Sequence, residues 1–136
     1  MSLIEWDKTR FGLGLDFMDD THKAFIAQVN RLAEASNAAF TELFDQLIEH
    51  TEEHFQQEEQ LMQETAFPAN AEHRDEHQRI LGELRQFKKR VDKGLVSFGR
   101  NYVTQRLPEW FRLHAASMDS ALAAHAKNTA TDILHA

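Results

Sequence analysis

The sequence predicts an all-α protein, an up-down-up-down four-helix bundle with an irregular N-terminal arm. Three observations lead there. Apolar residues recur at i, i+3, i+4 spacing along most of the chain, and no alternating run competes for a strand. Gly and Pro are scarce, five and two in 136 residues, so little interrupts those periods. The periodic segments run to roughly 17–28 residues with short links, as antiparallel neighbours in a bundle require.

Residues 1–17 form the arm, with Trp6, Phe11, Leu13 and Leu15 set around the breakers Gly12 and Gly14. The first helix spans about Asp19 to Ser36, with His22, Phe25, Ile26, Val29 and Ala33 on one face. The second starts near Thr41 and aligns Phe40, Phe44, Leu47, His54, Glu58 and Leu61. It stops before FPAN at 67–70, where Pro68 cannot continue a helix. Asn70 is the expected cap of the third helix, whose stripe is His73, His77, Ile80, Leu84, Phe87 and Val91. KGLVS at 93–97 breaks the chain again, ahead of a fourth helix from about Ser97 to Ala124. One domain therefore covers 1–124, and 125–136 is expected to be a frayed or loosely docked tail.

Composition narrows the function. Apolar residues make up 42% and charged residues 27%, a globular balance. The net charge of -7, with no basic run, argues against nucleic acid and anionic membrane as partners. No cysteine is present, which excludes disulfides, iron–sulfur clusters and thiolate zinc sites. No apolar leader or bilayer-length stretch occurs, so a soluble, cytoplasmic protein is expected. Eight histidines are more than a chain of this size usually carries.

Residues four apart on an α-helix differ by only about 40° in direction. His54 with Glu58 and His73 with His77 therefore each present two ligands to one side, and both pairs lie on apolar stripes. His22 lies on the stripe of the first helix. Apolar stripes face the bundle axis, so these groups converge. A lone His–carboxylate pair on a helix is usually solvated. The joint occurrence is different, because burying so many polar groups without a metal would cost roughly 1–3 kcal/mol for each one left unsatisfied.

The fourth helix offers His114 and Asp119, five apart and so about 140° apart on an ideal helix. Apolar Phe111, Met118 and Leu122 fill the arc between them, so the two groups flank an inward face, a placement that suits straddling two metals rather than chelating one. Pro108 removes the bond to the Thr104 carbonyl and is expected to kink or widen the helix. Five histidines and two carboxylates exceed the needs of one ion. Imidazole suits several metals, but carboxylates without sulfur favour iron. The frame HTEEH at 50–54 matches an inverted zinc protease pattern, yet it puts His50 on the flank and Glu53 toward solvent. His50, His125 and His135 are left outside the ligand set.

These residues resemble a bacterial hemerythrin over nearly the whole chain. The family pattern is an isolated His, then H-x-x-x-E, H-x-x-x-H and H-x-x-x-x-D, here His22, HFQQE at 54–58, HRDEH at 73–77 and HAASMD at 114–119. EW at 5–6, EEQLM at 58–62 and FP at 67–68 also look familiar. The resemblance implies two non-haem irons with an oxo or hydroxo bridge. His73, His77 and His114 would hold one iron, and His22 and His54 the other, with a position left for O2. Glu58 and Asp119 would bridge. It further implies reversible O2 binding for storage, delivery or sensing, other small ligands such as azide or NO, and no catalytic side chain. The expected O2 pocket is Phe25, Trp110, Phe111, Ala115 and Met118. Phe111 and Ala115 depart from the Leu and Ile usual in the family, and Ala115 is expected to open a channel and speed autoxidation. The alternative function is a di-iron redox enzyme reducing peroxide or nitric oxide.

Overall fold

The computed structural model describes residues 4–7 and 11–135, the last six by backbone alone. Among these residues there are four long helical rods and no strand. α1 runs Asp16–Glu34, and Asp16 and Asp19 in its first turn suit the positive end of the helix dipole. α2 runs Asn37–Glu64. It begins before the expected Thr41 because Ser36 is its N-cap rather than the end of α1. The Ser36 hydroxyl accepts from the Ala39 N–H at 3.2 Å.

α2 closes with Phe67 N–H on the Met62 carbonyl and Ala66 N–H on that of Gln63. Ala66 sits at φ 51° to make that turn, a left-handed conformation that glycine normally supplies. α3, Asn70–Asp92, starts after Ala69 with no side-chain cap, so the expected cap Asn70 is instead its first residue. Gly94, at φ 87°, ends α3 in the same way as Ala66 ends α2.

α4 is one rod in five segments: α-helical Val96–Asn101, Leu107–His114 and Ser120–His135, with wider π-helical turns at Tyr102–Arg106 and Ala115–Asp119. It extends past the expected end near Ala124, since no Gly or Pro follows Pro108 to stop it. Ala126 is buried, and His125 Nε2 lies 2.6 Å from the Thr65 carbonyl, so this stretch is docked. Each helix packs on the next, and the first π turn of α4 lies against α1, closing the bundle. No helix among the described residues is long and apolar enough to cross a membrane.

The apolar core comes in two parts. The larger contains Ile4 and Phe11 of the arm with Phe25, Phe44, Phe55, Ile80 and Phe111. The smaller is Met18, Met62, Leu122 and Ala123. The buried His and carboxylate residues fall where these clusters meet on α1, α2 and α4, and on α3 they precede Ile80 and Leu81 of the larger one. That polar layer is where the bundle places its site.

Candidate metal centre

All four helices reach into this layer. α1 supplies His22, α2 His54 and Glu58, α3 His73 and His77, and α4 His114 and Asp119. All seven are buried, Glu58, His22 and His77 without any exposed surface. Two overlapping sets have ligand atoms within 4.8 Å of one another: Glu58, His73, His77, His114 and Asp119, and then His22, His54 and Glu58. The carboxylates join the sets. Glu58 Oε1 lies 3.2 Å from Nε2 of both His73 and His77, while its Oε2 touches His54 and lies 3.8 Å from His22. Asp119 Oδ1 lies 3.0 Å from Nε2 of His73 and of His114, and its Oδ2 3.0 Å from His22. Each carboxylate turns one oxygen to either half.

The five-residue step from His114 to Asp119 is explained by backbone. The segment between them is a π turn, closed by Ser120 N–H on the Ala115 carbonyl. Its extra residue brings positions i and i+5 onto one side, which an α-helix would not do. Sequence periodicity missed this turn. The available signal was the spacing itself, two ligand-type residues five apart around an apolar arc. The widening expected at Pro108 is present one turn upstream, where Leu107 N–H bonds the Tyr102 carbonyl.

Electrostatics shows what the nest favours. Burial pushes the His22 and His73 imidazoles down, but the close carboxylates of Asp119 and Glu58 outweigh it and raise both to about 9. Burial lowers His77, with Glu58 only partly opposing. Glu58 is held well below the usual carboxylate range despite its burial, chiefly by His54 and His22. Asp119 is also held low, against burial and the Glu58 charge, by His114, His22 and His73. Two buried carboxylates thus draw positive charge inward. Meanwhile Nε2 of His22, His73, His77 and His114 has no properly oriented hydrogen-bond partner, and neither do Glu58 Oε1 and Asp119 Oδ1. Orphaned buried polar atoms of this kind call for a missing partner. Imidazole and carboxylate donors converging on a shared interior suit transition-metal cations, so the residues fit a metal site.

The hemerythrin HHE cation-binding domain profile matches residues 13–126. The chain belongs to the hemerythrin family. It is 39% identical over 119 residues to the bacteriohemerythrin of Ralstonia nicotianae, covering 88% of this chain and 85% of that one. The myohemerythrin of Sipunculus nudus is 28% identical over 102 residues, 75% of this chain and 82% of its own. Among solved structures, a hemerythrin variant superposes with a TM-score of 0.83 at 25% identity, covering 93% of this chain and 98% of that one.

Aromatic rings wall the nest. Phe111 meets His22 edge-on at 5.3 Å and stacks on Phe25 at 4.9 Å. Both candidate pocket residues therefore adjoin the His22 half. Trp110 instead stacks on His114 at 4.6 Å, and Met118 lines a surface hollow with Phe67 and His73. Those two adjoin the three-histidine half. Ala115 is only 1% exposed and packed in the larger core, so the expected channel does not open there. Phe55, which the sequence reading passed over, lies flat on His77 at 3.8 Å and 2°. Glu76, between the two ligand histidines of α3, accepts the Trp110 indole N–H at 2.7 Å and is held by Arg79.

Proposed function

We propose that this chain binds O2 reversibly at a non-haem di-iron centre and serves as an oxygen-binding protein rather than an enzyme. His73, His77 and His114 would hold one ion and His22 and His54 the other, with Glu58 and Asp119 shared between them. The observation that carries this reading is the division of both carboxylates, each with one oxygen toward either histidine group. Two ferrous ions, when bound there, would supply the electron pair that reversible O2 binding requires.

The chain's own residues do the rest. The imidazoles supply neutral donors, and the two carboxylates offset part of the cationic charge. Phe111, edge-on to His22 and stacked on Phe25, covers the His22 ring with apolar surface in the half where fewer protein donors leave room for a small ligand. Outside the ligand set, Glu59 Oε2 lies 3.8 Å from His77 Nδ1, on the side of that ring away from the nest, where it can orient the imidazole. Iron analysis and visible spectra of the reduced, oxygenated and oxidised protein test the proposal. Two irons per chain and colour that reverses on removing O2 are expected. A single zinc, or irreversible bleaching with turnover of peroxide or nitric oxide, would overturn it.

A further inference from the structure

Of the seven clustered side chains, His54 and His114 keep the most exposure, 8% and 5%. His54 reaches solvent through a hollow of about 190 Å³ in the seam between α1 and α2, walled by Phe25, Gln28, His50, Thr51 and Glu53 among others. His50, His54 and Glu58 follow one another at four-residue steps, so they share one face of α2. Burial deepens along that row, from exposed His50 to Glu58, which has no exposed surface. The row thus forms a ladder of metal-binding groups from surface to centre. The Gln28 amide from α1 contacts His50 Nδ1.

Charge converges on the same helix. α2 carries eight Asp and Glu and no Lys or Arg, which more than accounts for the chain's net -7. On its α3 side the acids are neutralised, Glu52 by Arg85, Asp45 by Lys88 and Glu59 by Arg74. Glu53, at the hollow, has no such cation among the described residues. A concave site walled by unbalanced negative charge concentrates cations at its mouth.

We infer that this seam is the loading route for metal: His50 and Glu53 capture a hydrated divalent cation, which passes along α2 to His54 and Glu58. Each transfer exchanges a water or protein ligand for the next, with no change of oxidation state. The inference rests on the di-metal reading of the centre, but it concerns the rate of filling, not the final occupancy.

The two are tested separately by mixing metal-free protein with Co2+ under stopped flow, following visible d–d absorption and then measuring bound cobalt. His50→Gln with Glu53→Gln should slow uptake on the order of tenfold, the lower end of electrostatic focusing. The final cobalt content and spectrum should match the unaltered protein. Glu64→Gln, which removes an exposed charge of the same helix away from the hollow, should leave the rate nearly unchanged. An unchanged rate in the double variant would overturn the route, as would equal slowing by Glu64→Gln. Fewer than two cobalt ions in the unaltered protein would overturn the di-metal reading itself.

Discussion

His114 and Asp119 stand five residues apart on one helix, yet their side chains meet at 3.0 Å, Nε2 to Oδ1. The π turn between them makes this possible, and it lets one carboxylate face imidazoles from α1, α3 and α4. Asp119→Asn keeps the shape and removes the charge that balances His22 and His73. Iron content should fall below two per chain, with loss of the oxygenated spectrum. Full iron content in that variant would rule out a bridging role.

Phe111 is the ring between His22 and the arm, in contact with Phe25 and Phe11. Truncating it to Ala should cost about 3–5 kcal/mol in a denaturant melt, the range for emptying a buried aromatic site. The same gap admits water beside His22, so the oxygenated form should decay several-fold faster after air exposure. An unchanged lifetime would remove Phe111 from the pocket.

The metal-free protein should lose stability as pH rises. His22 and His73 are raised from 6.5 to about 9 in the folded chain. The folded state therefore binds more protons than the unfolded one between those values. Their contribution is fully present below pH 6.5 and is lost as pH passes through about 9. Lowered His77 acts only below 6.5, where it opposes folding. Urea melts in chelator at pH 6.5 and pH 9.5 check the sign. Metal-loaded protein should not follow this slope, because its ligand imidazoles are already neutral.

Ala66 holds a left-handed conformation at the end of α2, at φ 51°. A side chain there costs roughly 1–2 kcal/mol, which glycine avoids at the expense of unfolded-chain entropy. Ala66→Gly should raise stability by about 0.5–1 kcal/mol without changing iron content. A lower melting midpoint would show that the turn relaxes when unconstrained.

Much of the site was legible because ligand pairs four apart inherit their direction from local helix geometry. His54 with Glu58 and His73 with His77 needed nothing more, and neither did the lone His22 on its apolar stripe. Helix ends were less legible. Ser36 reads equally as the last residue of one helix or the cap of the next, and only the backbone path after Glu34 selects the cap.

By itself, the sequence determined which residues are buried together, since burial follows periodicity and each helix carries its own. The tertiary structure alone decided how they divide. It widened α4 by a residue so that His114 and Asp119 align, turned each carboxylate to both halves, and put Phe25 and Phe111 on one side with Trp110 on the other. These outcomes depend on contacts between helices distant in sequence, and no local period encodes them.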